Sequence, residues 1–300
     1  MDIWIPATVI AAFLQNLRSA GQKHLKGVMG TSGATFVRFG FGAPFAVLYL
    51  FLVLRVTGAA VPAFNPAFVG WVAVGGFTQI AATYLLVHLF SFRNFAIGTA
   101  YSRTEPAQAV ILGAVLLAEV PTVGALAAVA ISVLGVMLIS VAHTKVSLRS
   151  LFTSLRTRSV AIGLTSGLAF AASAVAYRAA SLSLAGSNFI VQATITLACV
   201  ILFQAAAMLV WLLWRERDEL ARIRRAWKPS LFVGFVGATA SLCWFTAMTV
   251  QQAAVVKALG QVEMIFAFAF TVFVFRERIN RFEAAGCLLI VLGILILVLL

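Results

Sequence analysis

Residues 254–279 read AVVKALGQVEMIFAFAFTVFVFRERI, and residues 96–121 read AIGTAYSRTEPAQAVILGAVLLAEVP. The two stretches share one plan at an offset of 158 residues, because Glu105 aligns with Glu263 and a second glutamate closes each stretch. Each stretch is an apolar run of helix length with a carboxylate near its middle. Such a carboxylate is costly inside a membrane unless it is paired or functional. We therefore expect this glutamate pair to mark the functional part of the chain.

The composition is that of a membrane protein. The chain has 300 residues, of which 62% are hydrophobic and 10% are charged, whereas soluble domains carry about 25% charged residues. The net charge of +13 does not indicate nucleic-acid binding, because Lys and Arg lie mostly in short links between apolar runs. At about 20 apolar residues per crossing, the sequence predicts an all-α membrane protein with ten transmembrane helices. The predicted spans are 4–22, 31–55, 67–91, 95–118, 121–142, 160–184, 188–214, 229–250, 253–275 and 280–300.

The basic residues predict how these spans are oriented. Sixteen of the 22 Lys and Arg residues lie in the links after odd-numbered spans. The links after even-numbered spans contain only Arg55. The positive-inside rule then places the odd-numbered links in the cytoplasm and both termini in the periplasm. The basic link between spans 7 and 8 predicts an amphipathic surface helix, with a solvated loop as the alternative. Because the chain starts with Asp2 rather than a basic leader, we expect the first span to be retained.

Further matches extend the repeat along the chain. At the offset of 158 residues Gly76 matches Gly234, and at an offset of 160 residues Arg18 matches Arg178. Each half then has five spans, and an odd number inverts the second half relative to the first. We expect residues 1–142 to form the first repeat, 143–159 a cytoplasmic linker and 160–300 the second, inverted repeat. Inverted repeats are typical of secondary transporters with a site near the midplane; a duplication kept only for packing is the alternative.

Charged side chains inside the spans are the first candidates for function. Eight ionisable side chains fall there: Arg18, Arg38, His88, Arg103, Glu105, Arg178, Lys257 and Glu263. Such groups usually face the interior of a bundle or a water cavity and pair with one another. Five of them are expected to provide coupling or structural charge: Arg18, Arg103, Arg178, Lys257 and Glu263. For the two matched arginines, the structural role would be pairing with a glutamate or capping helix carbonyls.

Polar residues at helical spacing predict the lining of a cavity. Gln79 and Thr83 lie one turn apart on one helical face, and Thr83 aligns with Ser241 in the second half. Similar stripes occur on spans 1 and 4. The predicted substrate-binding residues are Gln15, Gln79, Thr83, Tyr101, Glu105, Ser241 and Trp244. An aromatic ring beside polar groups suits an amphipathic organic solute, although such stripes can also serve helix-to-helix hydrogen bonds alone.

The two mid-span glutamates are expected to differ in role. Glu105 is followed by Pro106, and that proline removes a backbone donor and loosens the helix one turn earlier. A solute amino group could be held at such a broken turn. Glu263 lacks a following proline and lies six residues after Lys257. We therefore expect Glu105 to be a substrate or proton site, and Glu263 to be mainly a structural partner of a cation in the second half.

The inventory of side chains argues against an enzyme. Asp occurs only at Asp2 and Asp218, outside the predicted spans, and no nucleophile motif, P-loop or dinucleotide fingerprint is present. The three cysteines, Cys199, Cys243 and Cys287, lie in apolar runs without the spacing of a metal site, so we expect no cofactor and no metal. No selectivity-filter sequence favours a channel. The expected partners are a small-molecule substrate and the lipid bilayer, with a monomer favoured.

Three features resemble the drug/metabolite transporter superfamily, in its ten-helix EamA-type branch. These are the order of ten spans, the glutamate that closes spans 4 and 9 in LLAEVP and FRERIN, and the glycine-bearing last helix AAGCLLIVLGILIL. The likeness is greatest to bacterial aromatic amino-acid exporters of the YddG type. Val-Pro follows Glu119, however, where Arg-Ile follows Glu277. Both glutamates are therefore expected to serve as helix-end structure rather than in binding.

The resemblance implies a function and a location. It implies a secondary transporter of the bacterial inner membrane that exports small organic metabolites by alternating access, amino acids with aromatic or apolar side chains in particular. Two alternatives remain open at this point. One is a multidrug or organic-cation exporter, and the other is a membrane scaffold without transport activity.

Overall fold

The structure is a computed structural model that describes residues 3–92, 95–142, 157–184, 186, 188–266 and 281–299. Every regular element in these ranges is an α-helix. In the first half the helices are α1 (Trp4–Leu25), α2 (Thr31–Gly40), α3 (Ala43–Thr57), α4 (Pro66–Leu89), α5 (Phe95–Ser102), α6 (Glu105–Leu117) and α7 (Val123–Ala142). In the second half they are α8 (Arg158–Ser183), α9 (Phe189–Arg215), α10 (Arg217–Arg225), α11 (Trp227–Val250), α12 (Ala253–Leu259) and α13 (Arg281–Leu299).

Six of the helical segments are long and apolar enough to cross a membrane. They are Thr31–Thr57, which joins α2 and α3, and the segments Pro66–Leu89, Arg158–Ser183, Phe189–Arg215, Trp227–Val250 and Phe282–Leu299. The protein is thus a multi-pass, all-α membrane protein, as the composition predicts. Part of the predicted linker, up to residue 156, lies outside the described residues. The end of the ninth predicted span, from residue 267, and Glu277 lie outside them as well.

Local sequence explains where several helices begin and break. Asn65 caps the start of α4, where its Oδ1 accepts a hydrogen bond from Phe68 N at 2.7 Å, and Pro66 occupies the first helical position, where no donor is needed. The predicted break before Pro106 is confirmed, because α5 ends at Ser102 and α6 begins at Glu105. This break places Glu105 at the start of a new helix.

The basic link between α9 and α11 forms the predicted amphipathic helix, α10. Glu219 and Ile223 are buried on one face, while Arg217 and Arg224 on the opposite face are exposed. Glu219 Oε2 accepts a hydrogen bond from Gly30 N at 2.7 Å, at the amino end of α2. A carboxylate is favourable there because the first amides of a helix lack partners. The link is therefore attached to the first half by its acidic residues.

Helices of one half pack mainly against helices of the other. The most extensive contacts join α4 to α8, α1 to α11 and α7 to α13, and α6 also packs on α12 and α9 on α2 and α3. Each half can be divided into five units in chain order: α1, α2–α3, α4, α5–α6 and α7 in the first half, and α8, α9, α11, α12 and α13 in the second. The α4–α8 contact joins the third unit of the first half to the first unit of the second. The α1–α11 contact joins the same two units with the halves exchanged. The α7–α13, α6–α12 and α9–α2/α3 contacts map onto themselves. The contacts named above are thus related by exchange of the halves, whereas α8 packs on α5 and α6 more extensively than α1 packs on α12.

Candidate functional site

A small cavity lies between the two halves, lined by side chains of α1, α2, α4, α8, α11 and α12 and of the broken segment between α5 and α6. The centre of a water-sized sphere can move through only about 30 Å³ of it. Since about 10–15 Å³ of such space holds one water molecule, the cavity has room for a few waters at most. In this conformation the cavity has no room for an organic solute.

Two ion pairs cross between the halves at this cavity. Lys257 Nζ on α12 lies 2.8 Å from Glu105 Oε1 at the start of α6, and Arg103 forms an ion pair with Glu263. Each pair joins a first-half residue to a second-half residue. The expectation that Glu263 would pair with a second-half cation is therefore wrong.

Breaks in the helices explain which charges meet. Lys257 lies on α12, which ends at Leu259, and Glu263 follows the turn at residues 260–261, so the two are not neighbours on one helix face. Arg103 lies in the break before α6, and Glu105 is the first residue of α6. Because α6 packs on α12, Glu105 meets Lys257, and Arg103 in the break meets Glu263.

Glu263 is held by a shell of amides. Its side chain is 2% exposed, and its Oε2 accepts a hydrogen bond from Gln15 Nε2 at 2.7 Å. Asn16 Nδ2 donates to the Glu263 backbone carbonyl at 2.7 Å, and Trp244 Nε1 donates to Gln15 Oε1 at 3.2 Å. Glu263 is not part of the cavity wall, whereas Glu105 is. The two glutamates thus differ in access, with Glu105 on the cavity side.

Two further arginines face the cavity, Arg18 on α1 and Arg38 on α2. Both are buried, with exposed fractions of 2% and 4%. Arg38 Nη1 donates to Thr83 Oγ1 at 2.9 Å, whereas Arg18 Nε and Nη1 have no hydrogen-bond partner. Both stems run beside Gly237 of α11, where an added Cβ would lie 3.4 Å from Arg18 Cδ and 3.5 Å from Arg38 Cγ. Both arginine stems thus pass close to the backbone of α11 at Gly237.

An aromatic group completes the wall. Phe170, Tyr177, Trp244 and Phe245 line the cavity, and the rings of Tyr177 and Phe245 stack with centroids 4.4 Å apart. Lys257 Nζ lies 4.4 Å from the centre of the Trp244 ring, within the range of a cation–π contact. The cavity therefore combines charge with flat apolar surface.

Hydrogen bonds hold Tyr177 in place. Its hydroxyl lies 2.8 Å from the carbonyl of Gly75 and 2.7 Å from Gln79 Oε1 on α4, and Gln204 Nε2 donates to it at 3.1 Å. Gln204 Nε2 also donates to Gln79 Oε1 at 2.9 Å. The network ties α8 to α4 and α9 beside the cavity.

Most of the predicted site residues meet at this cavity. Of the predicted substrate-binding residues, Gln15, Gln79, Glu105, Ser241 and Trp244 line it. Thr83 and Tyr101 are not in its wall: Thr83 contacts Arg38, and Tyr101 packs in a small separate cluster with Val160. Of the predicted charges, Arg18, Arg103 and Lys257 line the cavity, whereas Arg178 and Glu263 do not.

Sequence analysis missed the contribution of α8 and assigned no role to Arg38. On α8 the residues Phe170, Ser173 and Tyr177 all line the cavity. Their spacing of three, four and seven residues marks one helical face, so the same stripe rule applied to this helix would have found them. Arg38 stands out in the sequence only as a charge inside a span, because it has no counterpart in the repeat.

Arg178 lies at one end of the bundle, away from the cavity. Its Nε lies 2.7 Å from Glu119 Oε1 and 2.9 Å from Oε2. Its Nη1 donates to the carbonyls of Met248 and Gln251 at 2.8 Å each, at the carboxyl end of α11. The expected pairing with a glutamate and capping of carbonyls is confirmed for Arg178. For Arg18, no such pairing is found among the described residues.

Comparison with known proteins supports a transporter. Residues 157–299 match the model of the EamA-like transporter family, which supports a place in the drug/metabolite transporter superfamily and a membrane transporter of small molecules. No curated protein matches the sequence. A solved structure described only as "Crystal structure of protein" shares the fold with a TM-score of 0.70 and 14% identity, over 99% of this chain and 96% of that one. At that identity the likeness concerns the fold alone.

Proposed function

We propose that the protein is a secondary transporter that exports small organic metabolites, amino acids with aromatic or other apolar side chains in particular. The observation that carries this proposal is a small cavity between the halves, whose wall contains the Lys257–Glu105 ion pair, Arg103 and four aromatic side chains. An amino acid with an aromatic side chain needs both kinds of surface, because its backbone is charged and its ring is apolar. Binding pockets usually combine a few polar groups with apolar and aromatic lining in this way.

Transport in this proposal proceeds by alternating access. The cavity is too small for an amino-acid side chain as it stands, so a solute can enter only after the halves move apart on one side. The largest contacts between the halves, which are related by exchange of the halves, support ten spans in two inverted repeats. The break that contains Arg103 lies beside α12, and the two crossed ion pairs form there. We place the rocking movement there, because these contacts join the halves beside the cavity.

The proposal includes a location. The basic bias of the sequence supports a protein of the bacterial inner membrane with both termini in the periplasm and α10 in the cytoplasm. Single cysteines placed at Ala60 and at Ala221, both exposed, test this in intact cells of a variant whose native cysteines are replaced. An impermeant maleimide should label position 60 and not position 221. Labelling of position 221 from outside would overturn the orientation, and labelling of both positions would overturn the inverted repeat as well.

Counterflow in proteoliposomes tests the function. Vesicles loaded with phenylalanine should take up labelled phenylalanine from outside. They should take up labelled leucine more slowly and labelled methyl viologen not at all. Exchange of methyl viologen without exchange of amino acids would show an organic-cation exporter, and no exchange of any solute would support a scaffold. Trp244→Leu, in the cavity wall, should abolish exchange. Trp214→Leu is the matched control, since Trp214 is 68% exposed and lies outside the cavity.

A further inference from the structure

The cavity carries more positive charge than its own carboxylates neutralise. Among its lining residues are four cations, Arg18, Arg38, Arg103 and Lys257, and one carboxylate, Glu105. Arg103 is neutralised by Glu263 and Lys257 by Glu105. Within the described part of the chain, neither remaining arginine has a carboxylate partner. The cavity thus keeps two guanidinium groups that no carboxylate of the described residues pairs with.

We propose that Arg18 and Arg38 together bind the carboxylate of an organic acid, so that the transporter recognises its substrate by the carboxylate and does not require an amino group. The proposal rests on the transport function above and names the chemical class of its substrate. It extends that function, because aromatic and apolar acids without any amino group become substrates too.

The burial of Arg18 is the first argument. A buried charge without a partner is strongly unfavourable, yet Arg18 is 2% exposed and two of its three nitrogens make no hydrogen bond. A ligand that accepts those bonds would remove the penalty in the bound state. The free donors of Arg18 therefore belong at the site where an anion enters.

The second argument is the arrangement of the two arginines. Both stems lie against Gly237, and both side chains line the same small cavity. Arg38 is oriented by its bond to Thr83 and lies with its guanidinium carbon 5.2 Å from the centre of the Phe39 ring. The planar guanidinium fork matches a carboxylate with two parallel hydrogen bonds. A carboxylate between two such groups would be held by both.

The third argument concerns the amino group. Glu105, the one carboxylate in the wall, already pairs with Lys257, so an ammonium ion could bind there only by displacing that lysine. The other three cations in the wall would repel it. The aromatic side chains favour an acid with an apolar side chain over a sugar or a free inorganic anion. The site thus fits an aromatic or apolar monocarboxylate best.

Competition and binding experiments with three phenyl compounds test this. Purified protein is mixed with 3-phenylpropionate, which lacks the amino group, with 2-phenylethylamine, which lacks the carboxylate, or with phenyl phosphate. We expect 3-phenylpropionate to raise the melting temperature and to inhibit phenylalanine counterflow, and 2-phenylethylamine to do neither. A response to the amine and none to the acid would overturn the proposal. A response to phenyl phosphate alone would also overturn it, by assigning the arginines to phosphate esters.

Variants then locate the site. Arg18→Gln and Arg38→Gln should each weaken the response to 3-phenylpropionate by about tenfold or more, because each loses charge-assisted hydrogen bonds. Arg55→Gln is the control, since Arg55 is exposed and distant from the cavity wall. Gel filtration and melting without ligand show whether each variant is folded. A folded Arg18→Gln protein that binds 3-phenylpropionate as tightly as the parent would refute the site.

The design separates this proposal from the proposed function. If 3-phenylpropionate stabilises the protein through Arg18 but no amino acid is exchanged, the anion site stands and amino-acid export fails. If phenylalanine is exchanged normally by the Arg18 and Arg38 variants, export stands and the anion site fails.

Discussion

Arg18 and Arg178 occupy matching positions in the two halves of the chain, 160 residues apart, yet their surroundings differ completely. Arg178 bonds to Glu119 and to two carbonyls at the end of α11. Arg18 lies in the central cavity with Nε and Nη1 unbonded. The comparison teaches that two charges matched in sequence can differ both in their distance from the cavity and in whether the fold neutralises them. A neutralised copy can hold the bundle together, whereas the other remains available to a ligand.

The largest effect on stability is expected at the neutralised copy. Arg178→Leu leaves Glu119 without a counter-charge and removes the donor to the carbonyls of α11. Breaking such a pair should lower the free energy of unfolding by about 3 kcal/mol. Thermal melting in detergent measures this, with Arg55→Leu as an exposed control. An unchanged melting temperature would mean that the contacts of Arg178 contribute nothing to the fold.

The crossed ion pairs should show the next largest effect. Glu263→Gln removes the counter-charge of Arg103 at a side chain that is 2% exposed and should cost about 2 kcal/mol of stability. Glu105→Gln should cost less, because the Glu105 side chain is 13% exposed in the cavity wall, and should abolish transport. Melting and counterflow are measured on both proteins. If Glu105→Gln transports normally while Glu263→Gln is folded but inactive, the two roles are reversed.

Tyr177 should show a smaller effect. Tyr177→Phe removes the hydroxyl that contacts Gly75 and Gln79 while keeping the ring stacked on Phe245. One lost hydrogen bond of this kind is worth about 1 kcal/mol. Melting of Tyr177→Phe beside Tyr49→Phe, whose hydroxyl bonds to Thr239 outside the cavity, gives the comparison. A loss confined to Tyr49→Phe would contradict the structural role assigned to Tyr177.

The smallest effect on stability is expected at Arg18, despite the same substitution as at Arg178. Arg18→Leu breaks no ion pair within the described part of the chain and removes a buried, partly unbonded charge. The free energy of unfolding should therefore fall by no more than about 1 kcal/mol, or should rise. Transport should nevertheless be lost. A fall in melting temperature as large as that of Arg178→Leu would show that the two arginines are equivalent after all.

The sequence predicted the membrane class, the break before Pro106 and the convergence of Gln15, Gln79, Glu105, Ser241 and Trp244, because hydropathy, proline and helical spacing are local properties. The partners of the charges were not predictable in the same way. Which cation meets Glu263 depends on how the break before α6 lies against the residues that follow α12, and packing over the whole bundle decides that. The same limit explains Tyr101, which shares the spacing of a cavity stripe but packs against Val160 instead.

The crossed ion pairs also have a consequence for how the protein is made. Arg103 and Glu105 are synthesised more than 150 residues before their partners Glu263 and Lys257. The ribosome therefore completes the first half before the partner of either charge has been made. Until the last helices enter the bilayer, this half must keep two charges in contact with water or with the insertion machinery. The first half produced alone should therefore be removed by membrane proteases, and co-expression of the second half should rescue it.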